Sequence, residues 1–282
     1  MLFEIVPNIS EGRDAAIVDE AVAAVERSGA RLLHRTSDAV HHRSVLTVAG
    51  TDDQVLAAGV ALAGVALERI DLRSHRGVHP RIGALDVLPF VPLHGATVAA
   101  AVELAHRAGR EIWERYRIPS FYYGAAARFA ARTLLASVRS GEFERLAGRF
   151  ANAEWAPDEG DVGLHPSAGA IAIGARDVLV AFNVELASGD LASAREIARA
   201  IRERDGGMLT LRALAFPRSD GCVQVSLNVT NYSATPLYRI VELIRLLAAR
   251  HGIAVAGCEL IGCIPRPAVE TAAAYYLGVP EV

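Results

Sequence analysis

The sequence predicts an α+β fold built from two tandem ferredoxin-like (βαββαβ) subdomains. Its 282 residues suggest two compact units at roughly 150 residues per domain. Its 52% apolar content supplies a sizeable core. The decisive observation is that the apolar periodicities run in the order β-α-β-β-α-β twice, the signature of the split βαβ unit.

In the first half, Leu2 to Val6 reads as a strand. A helix follows from about Asp14 to Arg27, with Ile17, Val18, Ala21, Val22 and Val25 on one face and Ser28-Gly29 as its stop. Two apolar runs, Arg31 to His34 and Ser44 to Val48, read as strands, Asp52 to Arg69 as a buried helix, and Ala84 to Val91 as the closing strand after an Arg/His/Gly/Pro loop. The second half repeats the pattern: strand Asp177 to Val184, helix Leu191 to Glu203, strands Met208 to Phe216 and Cys222 to Val229, helix Leu237 to Arg250, strand Ile253 to Ala256. Between the halves, helices are expected at about Thr97 to Arg110 and Ala125 to Val138, and the turn-rich stretch Trp155 to Gly169 as a loop. The boundary falls near Gly174, giving subdomains 1–174 and 175–282.

Composition removes several function classes. All 29 cationic side chains are arginine, so no lysine exists to form a Schiff base, anchor pyridoxal phosphate or serve a Walker-type phosphate loop. A net charge of −3 and an aromatic content of 6% argue against a dedicated nucleic-acid binder. Cys222, Cys258 and Cys263 form no C-x-x-C pair and read as reduced thiols. The amino terminus lacks a basic region followed by a long apolar one, and no stretch has the roughly 20 apolar residues of a bilayer span, so a cytoplasmic protein without membrane association is expected. No G-x-S-x-G elbow or G-x-G-x-x-G turn occurs.

The chemistry concentrates between Asp71 and Asp86, where Arg73, His75, Arg76, His79 and Arg81 share one loop with Gly77, Pro80 and Gly83. Guanidinium forks match carboxylates bidentately, which suggests a pocket for a substrate with two or more carboxylates. Pro80 forces His79 into an extended backbone, giving a rigidly placed imidazole suited to acid–base work. His75 and His79 have the spacing of a helical metal pair, but Gly77 and Pro80 forbid the helix, so no metal site is expected. His41 and His42, beside Arg43, offer at most one further acid or base to a given site. His34, His94, His106 and His251 read as structural or surface residues.

Six blocks of sequence resemble the glutamate formiminotransferase family, the transferase module of formiminotransferase-cyclodeaminase. They are Val6-Pro-Asn-Ile-Ser-Glu-Gly12, Gly77-Val-His-Pro-Arg-Ile-Gly-Ala-Leu-Asp86, Tyr123-Gly124 with Ala127-Arg128, Trp155-Ala-Pro-Asp158, Gly174-Ala-Arg176 with Ala181-Phe-Asn183, and Gly257-Cys-Glu-Leu-Ile-Gly262. The blocks stand in family order across nearly the whole chain. The resemblance implies a cleft or tunnel for folate between two ferredoxin-like subdomains and a homodimer. The implied reaction moves the formimino group of N-formimino-L-glutamate to N5 of tetrahydrofolate, a co-substrate, during histidine breakdown. It places the catalytic histidine on His79 and the folate-binding stretch on Gly160, Asp161, Val162, Gly163, Leu164, His165, Pro166, Ser167, Ala168 and Gly169. Arg43, Arg73, Arg76 and Arg81 become the candidates for the substrate carboxylates. The matched blocks end with the transferase module, so a deaminating step is expected to belong to a separate protein.

The chain departs from the family pattern at His34, at His42 before Arg43, at Ala125 and at Ala168. Those departures leave two alternatives beside the main reading: a diverged one-carbon transferase with a different amine donor or acceptor, and a folate-binding protein without catalysis.

Overall fold

A computed structural model describes residues 1–150, 152–161 and 163–280. The chain parts into two compact units, Met1–Arg176 and Asp177–Val282, each with its own sheet and core. The predicted boundary at 174 and 175 falls on the last two residues of a strand, just before that division.

The first unit opens with an interrupted strand, β1 (Phe3–Ile5) and β2 (Asn8–Ile9), broken at Val6-Pro7. Helix α1 (Ala15–Arg27) follows, capped by Asp14, whose carboxylate accepts from Ala16 N–H at 2.9 Å. The predicted apolar face is the buried one, with Ile17, Val18, Ala21 and Val25 all in the core. After β3 (Arg31–Asp38) and β4 (Arg43–Gly50) comes α2 (Asp52–Arg69), whose limits are those the sequence predicts. Gln54 folds back to accept the Thr51 N–H at 2.9 Å, which fixes where this helix begins. Strand β5 (Leu85–Pro92) and helix α3 (Val98–Tyr116) complete this part.

Two strands in this unit were not expected from the sequence, β6 (Ser120–Gly124) and β7 (Ile171–Ala175). They extend the sheet to seven strands, in the order β3, β4, β1 with β2, β5, β7, β6. The pairs β5–β7 and β6–β7 are parallel, while the other pairings are antiparallel. The reason they escape detection is burial on both faces. Ile171 and Ile173 join the main core, while Ala170 and Ala172 face a second cluster with Ile82, Val87, Phe121 and Tyr123. Such a strand shows no polar alternation to mark it.

The helix expected over Ala125 to Val138 is a correction. Only α4 (Leu135–Val138) and a short 3₁₀ turn at Ala130–Arg132 form. Backbone groups that a helix would use are taken elsewhere, since Gly124 N–H donates to Thr133 O (3.1 Å) and Ala125 N–H to Ala175 O (2.8 Å). Arg132 is fully buried and holds the segment down: it donates to Asp158 Oδ2 and Glu154 O, both at 2.5 Å, and stacks near Phe129 and Trp155. Tertiary contacts thus override a good helical composition. The short helix α5 (Glu142–Leu146) follows.

The second unit contains β8 (Val180–Leu186), α6 (Leu191–Ile201), β9 (Leu211–Pro217), β10 (Val223–Val229), α7 (Leu237–Arg250), β11 (Val255–Ile261) and α8 (Arg266–Leu277). Its sheet is antiparallel throughout, ordered β11-β8-β10-β9. Val180, Phe182, Val184 and Leu186, every second residue of β8, enter a core shared with α6 and α7, as the alternation of side chains along a strand requires. Helix α8 was not foreseen; proline in its first turn and Gly278 in the left-handed conformation at its end mark it. Among the described residues no helix is long and apolar enough to cross a membrane.

Candidate active site

The candidate residues of the first unit assemble around the loop between α2 and β5. Asp71 starts this loop with an Asx-type turn, its Oδ1 accepting Arg73 N–H at 2.9 Å. Leu72 is buried and its N–H donates to Ser167 O at 2.9 Å, which ties the loop to the 165–169 turn. Gly77 then passes against the β3–β4 turn so closely that a Cβ there would lie 2.4 Å from His41 O. Glycine is needed at 77 because backbone approaches backbone.

His75 is buried, not presented to a ligand. Its Nε2 donates to His42 O (3.0 Å), and its Nδ1 accepts from Arg81 Nε (3.1 Å). One donated and one accepted bond fix the neutral tautomer, and burial lowers its pKa. Arg81 is likewise buried and fully engaged: beyond His75, its two other nitrogens reach Glu144 at 2.9 and 2.7 Å and Glu142 at 3.3 Å. A cavity of about 520 Å³ adjoins this pair, with Arg76, Glu142, Glu144 and Arg145 in its wall.

The electrostatic centre is Asp86, which has no exposed surface. Its Oδ2 accepts from Arg43 Nη1 at 2.7 Å and from Arg139 Nη2 at 2.6 Å, and its Oδ1 from Ile82 N–H at 2.8 Å. Burial alone would push this carboxyl up, but the two guanidiniums and the amide outweigh it and hold the pKa at about 2. Burial also brings Arg43 down to about 10, opposed chiefly by Asp86. The amino-terminal motif positions Arg43, since Asn8 Oδ1 accepts its Nε–H at 3.0 Å while Asn8 Nδ2 is held on Val6 O at 2.8 Å. Glu11 Oε1 in turn accepts the N–H groups of Gly12, Arg13 and Asp14 at 2.8, 2.7 and 3.0 Å, shaping the entry to α1.

His79 is half-buried beside this cluster, with its ring edge-on to His41 at 6.1 Å between centroids. Its Nδ1 lies 2.8 Å from Pro80 O. A carbonyl can only accept, so Nδ1 carries the proton and the Nε2 lone pair is the basic one. Burial, then the charges of Arg43 and Arg139, lower its pKa to about 4, against the opposing pull of the Pro80 bond and Asp86. The imidazole is therefore neutral at physiological pH, the state required of a general base.

The four sequence-selected arginines do not converge. Arg43 reaches the Asp86 cluster near His79, Arg81 is held by Glu144, and Arg73 and Arg76 lie on the exposed side of the loop. Arg73 is paired with Asp71, and Arg76 donates to His75 O at 2.7 Å. Of the stretch 160–169, Val162 lies outside the described residues. His165 and Gly169 close a tight turn by reciprocal backbone bonds of 3.0 and 2.9 Å. That turn is stitched to the His79 loop, with Ala84 N–H donating to Ala168 O and Ala170 N–H to Ile82 O, both at 2.9 Å. The structure thus brings residues 165–169 and the His79 loop together, though Ala84 and Ala168, which pair there, are 84 residues apart in sequence. Upstream, Gly160 and Asp161 follow Asp158, which is anchored by Arg132 and the Tyr122 N–H.

Gly169 takes φ +71°, and a Cβ there would lie 2.1 Å from Ile82 O. Gly169→Ala is expected to cost about 1–3 kcal/mol, the usual range for a strained backbone position. Urea denaturation checks this, and an unchanged midpoint contradicts it.

Sequence reasoning missed Arg139 and the central role of Asp86. Asp86 carried a signal, as the lone acid closing a basic loop. Arg139 carried none, because nothing local distinguishes it from the chain's other arginines. Among the described residues no group of three or more His, Cys, Asp or Glu side chains is arranged to hold a metal ion.

The chain is similar to known proteins over almost its whole length. Residues 2–176 match the model of the formiminotransferase domain, N-terminal subdomain, and residues 181–281 match that of the formiminotransferase domain. A protein of Streptococcus pyogenes serotype M1 named glutamate formimidoyltransferase is 40% identical over 282 residues, covering 99% of this chain and 94% of the relative. One of the same name from Thermoplasma acidophilum is 41% identical, covering 98% and 92%. The formimidoyltransferase-cyclodeaminase of Sus scrofa is 36% identical over 98% of this chain, which spans 52% of that longer protein. With both of its units matched, and with two relatives about 40% identical aligned over more than nine-tenths of each chain, this chain belongs to the formiminotransferase family.

Proposed function

We propose that this chain catalyses the folate-dependent transfer of the formimino group of N-formimino-L-glutamate to N5 of tetrahydrofolate, a step of histidine degradation. Relatives bearing the name glutamate formimidoyltransferase, aligned over more than nine-tenths of their own length, support the activity. The observation that carries the mechanism is His79 Nδ1 placed 2.8 Å from Pro80 O, which leaves Nε2 as the base, and burial with the nearby guanidiniums favours the neutral ring. Tetrahydrofolate supplies a nucleophilic nitrogen. His79 Nε2 accepts the proton released as that nitrogen bonds to the amidine carbon, and returns it to the glutamate nitrogen as the old C–N bond breaks.

The surrounding charge fits anionic substrates, because among the described residues Asp86 is the one carboxylate paired with Arg43 and Arg139. Gly160 to Gly169 is the proposed folate-binding stretch, supported by its attachment to the His79 loop. Arg73 and Arg76, at the exposed rim, are proposed to attract the carboxylates, with Arg43 acting nearer the loop, whereas Arg81, taken up by Glu144, Glu142 and His75, holds the loop in place. The strand order β11-β8-β10-β9 supports a ferredoxin-like reading of the second unit. The enzyme is proposed to act in the cytoplasm as a homodimer on small molecules.

The test is an assay of the purified protein with formiminoglutamate and tetrahydrofolate, following the absorbance of the formimino-folate product. Turnover that requires both substrates supports the reading; its absence defeats it. The pH profile supplies a second prediction. Protonating Nε2 removes the base, so kcat/KM falls as pH drops through about 4, not through the ordinary histidine value near 6.5. An acid limb near 6.5 would contradict the His79 assignment. Since the folded pKa lies below the unfolded one, the unfolded chain binds more protons between about pH 6.5 and 4, and His79 makes stability fall as pH drops through that window.

A further inference from the structure

Arg139 is the one member of the Asp86 cluster that the proton-transfer scheme leaves without a task. It follows α4, its N–H donating to Leu135 O at 3.0 Å, and its side chain crosses to β5 to place Nη2 2.6 Å from Asp86 Oδ2. Arg43 Nη1 occupies the same oxygen at 2.7 Å. Two guanidiniums therefore share one carboxylate, and Asn8, the further partner of Arg43, is neutral. Arg139 Nε is also buried, and it has no hydrogen-bond partner. A cationic N–H withdrawn from water with nothing to accept it is strongly disfavoured. A positive charge that shares its carboxylate with a second guanidinium and an orphan donor on the same side chain are both answered by one further anion.

We infer that Arg139 binds the α-carboxylate of the amino-acid donor through this free Nε–H and the part of its charge that the shared Asp86 leaves unbalanced. The inference rests on the proposed function. Position selects the anion. Arg139 and Arg43 meet on one oxygen of Asp86, and both charges act on the His79 imidazole, so a ligand of Arg139 belongs beside the reacting atoms of the proposed reaction. In formiminoglutamate the α-carboxylate carbon is two bonds from the nitrogen that leaves. The γ-carboxylate is two methylenes further away, and an aminobenzoyl spacer separates the carboxylates of a folate tail from N5. Arg139 is thus a specificity-determining residue that seats the leaving nitrogen beside His79, and the charge it lends to Asp86 is its second use.

The experiment compares formiminoglutamate with its α-carboxamide and γ-carboxamide analogues, in the wild-type protein and in Arg139→Gln. In the wild type, amidating the α-carboxylate is expected to lower kcat/KM by about 10- to 100-fold, the usual range for a hydrogen bond to a charged group. In Arg139→Gln that discrimination collapses to within a few-fold, mostly through KM for the donor, while KM for tetrahydrofolate changes little. Equal α-discrimination in the two proteins overturns the inference, as does a loss confined to the γ-carboxamide or to the folate KM. Should Arg139→Gln fail to fold, Arg139→Lys keeps a cation for Asp86 without the guanidinium fork, and the same collapse is expected there. Calorimetric titration with N-formyl-L-glutamate, which has no transferable amidine, separates this inference from the functional reading. Absence of turnover in the wild type defeats the reading alone. Binding of N-formyl-L-glutamate that needs both Arg139 and the α-carboxylate upholds the inference, whereas binding indifferent to the substitution, or no binding at all, overturns it.

Discussion

Replacing His79 with alanine is expected to lower kcat by about 10²- to 10⁴-fold, the range for removing a general acid–base group. The expectation follows from the fixed tautomer: with Nδ1–H on Pro80 O, Nε2 is the atom placed to take a proton. Neither neighbouring imidazole replaces it. His75 is buried with both ring nitrogens bonded, and His41 Nδ1 lies 2.8 Å from Asp38 Oδ2. The fold should survive, because the half-buried ring makes one hydrogen bond to a carbonyl, a net contribution of about 1 kcal/mol. Initial rates at saturating substrates, with urea denaturation of the same preparation, measure both quantities. Wild-type turnover in the variant removes His79 from the mechanism. Lost turnover accompanied by a collapsed denaturation midpoint assigns it a structural part instead.

The second large effect is thermodynamic. Asp86→Asn removes the only carboxylate that, among the described residues, pairs with Arg43 and Arg139, and leaves two guanidiniums in a water-poor site. Breaking a buried ion pair from one side costs about 3–5 kcal/mol, since the remaining charge stays buried without compensation. A shift of that size in unfolding free energy, measured by urea titration, is the expected result; a shift below about 1 kcal/mol, typical of an exposed pair, contradicts this role. The sign for acidity follows from the lowered pKa. Asp86 contributes stability above the normal carboxyl value, which is lost as pH falls towards about 2. The same substitution withdraws a negative charge that favours protonated His79, so the acid limb of the activity profile moves to still lower pH.

Where signals were local, the sequence carried them intact. Helices α2 and α7 form over the residues their periodicity indicates. Both β-α-β-β-α-β successions are present, each with its own core. His79 stood out because proline at 80 and glycine at 77 and 83 mark a constrained path, and the matched motifs around it identify the family. Strands β6 and β7 escaped because burial on both faces erases alternation. The segment 125–138 looked helical, but its backbone bonds and the buried Arg132 belong to distant partners. The arginines show the same limit most plainly. Sequence density singled out Arg73, Arg76 and Arg81, whereas Arg139, 60 residues downstream of His79, is the one that joins Arg43 on Asp86.

By itself the sequence determined the two-unit α+β plan, the family, and the imidazole proposed to carry the chemistry, because periodicity, proline and glycine act within a few residues of themselves. Only the tertiary structure decided which guanidiniums are already neutralised, which tautomer His79 adopts, and how low its pKa is set. Those properties depend on burial and on charges brought together from remote parts of the chain, and no short stretch of residues encodes them.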